Sequence, residues 1–123
     1  MEINVQQCCE ILREMDDIVI LCHRNPDGDT LGAGFALHYI LAQLGKRSRV
    51  ECHDVITPMF SYLLLDYKPE EFEPKNIVAV DIADEKLELF AIIYPFYLPK
   101  YALIASAMTS SLSFFTTLQP LDV

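Results

Sequence analysis

The chain has 123 residues, a formal net charge of −9 and 52% hydrophobic residues. A chain of this length forms one domain at most and is small for a complete dinuclear hydrolase. The acidic balance excludes a basic groove that follows a long phosphate backbone, because affinity of that kind comes mainly from Lys and Arg. We therefore expect no long duplex nucleic acid among its partners.

The cysteines show no CxxC spacing. Cys8 and Cys9 are neighbours and do not readily pair, which favours reduced thiols. The first ten residues, MEINVQQCCE, have neither the basic segment nor the apolar segment of a secretory signal. These features predict a cytoplasmic protein.

The chain begins with an alternation of predicted helices and strands. Residues 3–15 carry apolar side chains at helical spacing and predict an amphipathic helix. Residues 18–22 form an apolar run with β-branched side chains, typical of a strand that is buried on both faces. A helix follows as far as about Leu44, and Asp29 or Thr30 is its predicted N-cap.

The same alternation continues after this helix. Residues 49–53 predict a second strand, residues 58–65 a short helix, residues 68–75 a solvated loop and residues 77–80 a third buried strand. Strands that alternate with helices are typical of a parallel sheet with right-handed crossovers. We predict an α/β fold in which helices flank a parallel sheet.

The loop between the first strand and the long helix carries a histidine and two carboxylates. Asp27 and Asp29 are separated by one glycine, so both side chains can converge on a hard cation. The imidazole of His23 suits Mn²⁺, Fe²⁺ or Zn²⁺ better than Ca²⁺. Asp81 follows the third strand, and ligands bind beyond the carboxyl ends of the strands in parallel sheets. These four side chains therefore predict a metal site on one sheet edge.

Two segments resemble motifs of the DHH phosphoesterases. Residues 18–37, IVILCHRNPDGDTLGAGFAL, resemble the first motif, and residues 76–87, NIVAVDIADEKL, resemble the second, a strand that ends in a metal-bridging aspartate. Within this RecJ-like superfamily, the chain is most similar to enzymes that hydrolyse short oligoribonucleotides and 3'-phosphoadenosine 5'-phosphate. The resemblance covers residues 1–87.

The resemblance implies a site for two Mn²⁺ ions. His23 and Asp27 would hold one ion, Asp29 would hold the second, and Asp81 would bridge both. It also implies a short oligonucleotide or a nucleotide phosphate ester as the substrate, and a homodimer for the intact protein.

Two further motifs of the family are absent from this chain. There is no Asp-His-His sequence, and no histidine follows His53. The glycine-rich, histidine-containing motif of the family's C-terminal domain is also missing. We therefore predict an incomplete DHH-type domain that is inactive by itself, and we assign no catalytic or substrate-binding residue.

The composition changes abruptly towards the C-terminus. Residues 89–123 contain only Lys100 and Asp122 as charged side chains, whereas residues 1–88 contain all the others. Lys100, two prolines and many hydroxyl side chains disfavour a membrane span. The alternatives are an unusual apolar subdomain and a sequence foreign to the fold, such as the product of a frameshift or truncation. We favour the last and divide the chain into residues 1–88 and an apolar tail, residues 89–123.

Several of the motif residues also fit purely structural roles. A loop of Asn, Pro, Asp and Gly often forms only a turn, and an aspartate often only caps a helix. His38 is predicted to be a surface or half-buried helix residue, His53 and Asp54 to form a turn beside the site, and Cys22 to be a small core residue. Gly32 and Gly34 are predicted to let the long helix pack closely on the sheet.

Two functional hypotheses remain, together with a minor third. The first is a fragment of a Mn²⁺-dependent phosphoesterase. The second is a non-catalytic metal- or nucleotide-binding module whose apolar tail docks on a partner or a membrane. The sequence from Asp27 to Thr30 also imitates the DxDxT motif of haloacid-dehalogenase-like phosphatases, but that motif places its first aspartate directly at a strand end.

Overall fold

The computed structural model describes residues 2–81, 101–107 and 114–120 of the chain. The elements in chain order are β1 (Glu2–Ile3), α1 (Val5–Glu14), β2 (Ile18–Cys22), α2 (Gly28–Gln43), β3 (Ser48–Cys52), a 3₁₀ helix (Pro58–Leu64), β4 (Asn76–Val80), β5 (Tyr101–Ala107) and β6 (Phe114–Pro120).

These strands form one sheet in the order β1-β6-β5-β4-β2-β3. Strand β2 pairs in parallel with β3 on one side and β4 on the other, so that Ile18 lies opposite both Ser48 and Asn76. Strand β5 runs parallel to β4, whereas β6 is antiparallel to both β5 and β1. The predicted α/β class with a parallel sheet is confirmed for β2, β3 and β4.

The core lies around the two apolar strands in the middle of this parallel set. Every residue of β2 is buried, and so is every residue of β4 after Asn76. Leu31, Phe35 and Leu41 of α2 are at most 2% exposed and belong to the buried apolar core of the described residues. An uninterrupted apolar strand therefore occupies a position where both faces are covered, as the sequence predicted.

Helix α1 begins later than predicted because Asn4 caps it. The Asn4 side chain accepts a hydrogen bond from the Gln7 amide at 2.8 Å, and the Gln7 side chain accepts one from the Asn4 amide at 2.9 Å. This reciprocal capping box satisfies two amide groups that the helix itself leaves without partners. Ile3 precedes the cap and belongs to β1, where it lies opposite Thr116.

Helix α2, in contrast, begins earlier than predicted, and the predicted N-cap was wrong. Asp27, not Asp29 or Thr30, is the N-cap: its Oδ1 accepts hydrogen bonds from the amides of Asp29 and Thr30, both at 3.1 Å. The helix ends at Gln43, and Gly45 follows with a φ of 74°, a left-handed conformation that glycine adopts without steric cost.

Two other boundaries differ slightly from the prediction. Strand β3 begins and ends one residue earlier than the predicted range of 49–53. The short helix predicted for residues 58–65 is a 3₁₀ helix and ends one residue earlier, at Leu64. Phe60 and Leu63, three residues apart in this helix, pack against the core. Side chains three residues apart share one face of a 3₁₀ helix, so this face attaches the segment to the domain.

A cluster of charges fixes the edge of the sheet where β2 and β4 begin. Asp17, which precedes β2, is buried and accepts from Arg47 Nε at 2.6 Å and from Lys75 Nζ at 3.2 Å. The Asp17 carbonyl also accepts from the amides of Lys75 and Asn76. These contacts join the segments that lead into β2, β3 and β4.

Strands β5 and β6 lie in the apolar region where the sequence analysis assigned no element. Residues 101–107 extend the parallel sheet beyond β4, and residues 114–120 connect β5 with the short strand β1. The origin of residues 89–123 as a frameshift or truncation product stays a prediction. Residues 82–87 of the second DHH-like segment lie outside the described residues.

Candidate metal centre

Three side chains from separate positions converge at the carboxyl edge of the parallel strands. His23 follows β2, Asp27 caps α2, and Asp81 follows β4. His23 Nε2 lies 3.5 Å from Asp27 Oδ1 and 3.6 Å from Asp81 Oδ2. One ligand atom from each residue lies within 4.8 Å of the others, which is the size of a site that a single metal ion can occupy.

Asp29, the fourth predicted ligand, is not brought into this group. It lies in the first turn of α2 and is exposed, two positions after the cap. Asp27 precedes the helix with an extended backbone, whereas Asp29 belongs to the first helical turn, so the two side chains have different backbone settings. The Asp29 charge still contributes to raising the pKa of Asp81.

The orientation of His23 leaves one ring nitrogen for a ligand. Its Nδ1 lies 2.6 Å from the carbonyl oxygen of Arg24. Because a carbonyl only accepts, the hydrogen is on Nδ1, and in the neutral ring Nε2 keeps its lone pair. That lone pair is on the side of the ring next to both aspartates, and a metal-binding histidine usually has its other nitrogen held in this way.

The Asp27 carboxylate serves the helix and the site at once. The hydrogen bond from the Thr30 amide, together with the nearby His23, lowers the pKa of Asp27 and keeps it ionised. Both helix amides bind Oδ1. Oδ1 is also the Asp27 oxygen that lies 3.5 Å from His23 Nε2.

The environment of Asp81 disfavours its negative charge. Partial burial raises the pKa of Asp81, and the charges of Asp27 and Asp29 raise it further, while His23 acts in the opposite direction. Asp81 also has a φ of 54°, a conformation that aspartate tolerates better than most residues. A carboxylate held in this way beside a second one gains most from a bound cation.

Thr30 connects the three elements that carry the site, a role that its position as a candidate cap did not predict. It is fully buried, accepts a hydrogen bond from the His23 amide at 3.4 Å and donates one to the Val80 carbonyl at 3.3 Å. One hydroxyl therefore joins the end of β2, the start of α2 and the end of β4. A threonine after an N-cap gives no sequence signal for this role, because both partners depend on strand pairing.

Asp54 contacts the loop that carries His23 and Asp27. Its Oδ2 accepts a hydrogen bond from the Asn25 amide at 2.8 Å, and its Oδ1 lies 3.1 Å from His53 Nδ1. The hydrogen bond from Asn25 and the neighbouring His53 lower the pKa of Asp54. His53 and Asp54 follow β3 as predicted, but Asp54 also reaches across to the loop that carries His23 and Asp27.

The packing of α2 on the sheet depends on one of the two glycines singled out in the sequence. A Cβ at Gly34 would lie 2.9 Å from Cys22 Sγ, whereas a Cβ at Gly32 would meet nothing within 4 Å. The prediction for Gly34 is confirmed, and that for Gly32 is wrong. Cys22 is 1% exposed, so its predicted role as a core residue is confirmed.

His38, the histidine within α2, has a structural partner. His38 is half-buried, and its Nδ1 lies 2.8 Å from Ser48 Oγ. Burial lowers the pKa of His38 and favours the neutral ring. The predicted half-buried role of His38 is confirmed.

Comparison of the chain with protein-family models, curated proteins and solved structures finds no significant match. Within residues 2–81, 101–107 and 114–120, no helix has the length and apolar character needed to cross a bilayer.

Proposed function

We propose that this chain is the N-terminal part of a Mn²⁺-dependent DHH-type phosphoesterase. The intact enzyme would hydrolyse short oligonucleotides or 3'-phosphorylated nucleoside bisphosphates, and this chain binds the metal without turnover. The observation that carries the proposal is the convergence of His23, Asp27 and Asp81 within 4.8 Å. The DHH-like segments in which these residues occur support the same assignment.

The donor set fits a divalent transition metal. One imidazole nitrogen with two carboxylates suits Mn²⁺, Fe²⁺ or Zn²⁺, and the raised pKa of Asp81 reflects negative charge that a cation would offset. His23 Nε2 and the carboxylates of Asp27 and Asp81 would hold the ion. When bound, the ion would supply an acidified water and offset charge on phosphoryl oxygens.

The residues of this chain complete only part of the chemistry. The Arg24 carbonyl holds His23 Nδ1, the hydrogen bond from the Thr30 amide keeps Asp27 ionised, and Thr30 Oγ1 joins the ends of β2 and β4. Phosphodiester hydrolysis by two metals needs ions about 3.5–4 Å apart, with bridging and terminal ligands for each. The described residues offer one group of three ligands, so we expect weak, millimolar binding of Mn²⁺.

A Mn²⁺ titration followed by electron paramagnetic resonance tests the site. Asp27→Asn keeps an oxygen that can cap α2 and removes the charge, so it separates metal binding from helix stability. We expect Asp27→Asn to abolish the binding seen with the wild type. Asp29→Asn is the matched control and should bind nearly as well as the wild type. Unchanged affinity in Asp27→Asn would sink the assignment.

The second candidate is a non-catalytic metal- or nucleotide-binding module. It is favoured by the single group of three ligands among the described residues. Its apolar tail would dock on a partner or a membrane. Sequencing the DNA from the codon for Asp81 onward, with translation in every frame, separates the two candidates. An Asp-His-His motif in another frame supports the interrupted phosphoesterase, and an intact frame without it supports the module.

A further inference from the structure

The loop between His23 and Asp27 has an unusual backbone at its centre. Asn25 has a φ of 50° and precedes Pro26. A residue before proline strongly prefers extended conformations with negative φ, because the proline ring collides with its backbone otherwise. Asparagine reaches positive φ more easily than most residues, but its position before Pro26 opposes it. A contact from outside the loop must therefore stabilise this conformation.

That contact comes from the end of the neighbouring strand. The Asn25 amide donates to Asp54 Oδ2 at 2.8 Å, across 29 positions of sequence. A hydrogen bond to an ionised acceptor is stronger than one between neutral groups. Asp54 thus holds the peptide plane that directly precedes the positive φ of Asn25.

The held residue lies midway between two members of the metal group. His23 precedes Asn25 by two residues, and Asp27 follows it by two. Their ligand atoms, His23 Nε2 and Asp27 Oδ1, are 3.5 Å apart. Rotation of the backbone at Asn25 would move one of these side chains relative to the other. Asp54 itself does not belong to the group of ligands.

We propose that Asp54 is a positioning residue for the metal centre, which acts through the Asn25 amide to set the separation of His23 and Asp27. The inference rests on the proposed function for the metal that the centre binds. Strand β3 contributes no ligand to the described group. Asp54, which follows this strand, nevertheless controls the group's geometry. Removal of a residue that orients metal ligands typically weakens metal binding by about 10–100-fold.

The test compares Asp54→Ala, which removes the acceptor, with Asp54→Asn, which keeps an oxygen acceptor and loses the charge. Asp66→Ala is the matched control, because Asp66 is exposed and its removal changes the net charge equally. Metal-free protein is studied by NMR for exchange of the Asn25 amide and for the tautomer of the His23 ring. Mn²⁺ affinity is then measured by electron paramagnetic resonance.

We expect Asp54→Ala to lose the protection of the Asn25 amide and to raise the Kd for Mn²⁺ by about tenfold or more. Asp54→Asn should restore most of the amide protection and most of the affinity, and Asp66→Ala should change neither. This rescue is specific to an oxygen at position 54. A residue that only stabilised a surface turn would not shift the His23 tautomer or the metal affinity of folded protein.

Two results would overturn the inference. One is an Asn25 amide that stays equally protected in folded Asp54→Ala. The other is an equal loss of Mn²⁺ affinity in Asp54→Ala and Asp66→Ala, which would assign the effect to net charge. If wild-type protein binds no Mn²⁺, the proposed function fails, and the metal-free NMR comparison still decides the role of Asp54.

If Asp54→Ala does not fold, the hydrogen bond can still be measured directly in the wild type. The coupling between the Asn25 amide nitrogen and the Asp54 carboxyl carbon reports their hydrogen bond. Its presence, with near-normal Mn²⁺ binding in Asp54→Asn, supports the positioning role, and its absence contradicts it.

Discussion

Thr30 shows how much a single hydroxyl can contribute at the residue scale. It is completely buried, and its two hydrogen bonds join the His23 amide to the Val80 carbonyl. A buried amide or carbonyl that loses its partner costs about 1–3 kcal/mol. The positions of His23 and Asp81 therefore depend on a residue that is not itself a ligand.

Thr30→Val keeps the shape of the side chain and removes both hydrogen bonds. We expect a loss of about 1–3 kcal/mol in the free energy of unfolding, measured by urea denaturation, together with weaker Mn²⁺ binding. Thr30→Ser is the control, because it retains the hydroxyl and should retain most of the metal affinity. Equal Mn²⁺ affinity in Thr30→Val and the wild type would show that the link does not position the site.

Asp81 illustrates a conflict between stability and metal binding. A carboxyl whose folded pKa is raised stabilises the fold below its unfolded pKa, and this contribution is lost as the pH rises through the folded pKa. The pKa of Asp81 is raised by burial and by the carboxylates of Asp27 and Asp29. At neutral pH, the ionised Asp81 therefore lowers the stability of the metal-free fold.

We expect Asp81→Asn to be more stable than the wild type at pH 7 without metal and to bind Mn²⁺ much more weakly. Asparagine also tolerates the positive φ of this position. The stability difference should shrink as the pH falls below the folded pKa of Asp81, because the wild-type carboxyl is then neutral. Urea midpoints measured from pH 7 to pH 4 test this, and a less stable Asp81→Asn at pH 7 would contradict it.

At the scale of the element, α2 lies close to β2 at one position. The hypothetical Cβ of Gly34 would approach Cys22 Sγ to 2.9 Å, Val50 Cγ1 to 3.5 Å and Ile20 Cγ2 to 3.7 Å. The helix therefore rests on two neighbouring strands where it lacks a side chain. Gly32, half a turn earlier, faces open space.

Alanine at these two positions should have effects of opposite sign. Gly34→Ala overpacks the contact with Cys22 and should lower the free energy of unfolding by about 1–3 kcal/mol. Gly32→Ala should raise it by about 0.5–1 kcal/mol, because alanine has the higher helix propensity. Thermal and urea unfolding of both variants tests the pair, and a stabilising Gly34→Ala would show that α2 can move away from the sheet.

The geometry of α2 also explains why Asp27 and Asp29 have different surroundings. As the N-cap, Asp27 has an extended backbone and directs Oδ1 to the first amides of the helix. Asp29 already belongs to the helix, where successive residues rotate by about 100°. Because Asp27 and Asp29 are close in sequence, both carboxylates were predicted to converge on one cation. The start of the helix instead gives them different surroundings.

At the scale of the whole molecule, the sheet extends beyond the DHH-like region. Strand β5 pairs with β4 along its length, from Asn76 opposite Tyr101 to Val80 opposite Ala105. Without β5, the amides and carbonyls of an apolar strand would be exposed at an edge, which promotes aggregation. The paired strand therefore protects β4, whatever the origin of the segment.

Truncation after Glu88 removes β5 and β6 and tests their place in the sheet. We expect the shortened chain to aggregate more and to unfold at a lower urea concentration, because the edge of β4 becomes unpaired. A chain that ends at Pro120 retains both strands and is the control. A shortened chain that is equally soluble and stable would show that residues 1–88 fold without these strands.

Local patterns were sufficient for the elements that carry the site. The run from Ile18 to Cys22 and the run from Ile77 to Val80 predicted buried strands, since continuous apolar residues require cover on both faces. The order of strands and helices predicted their parallel arrangement. It follows that the side chains after β2 and β4 meet at one edge, as His23 and Asp81 do.

The sequence alone thus determined the α/β class, the buried strands and the sheet edge at which His23 and Asp81 lie. Only the tertiary structure decided that Thr30 joins β2 to β4 and that Asp54 holds Asn25. The physical reason is the distance along the sequence over which each kind of interaction acts. Periodicity reports on neighbours along one element, whereas these hydrogen bonds join atoms that become neighbours only after the strands have paired.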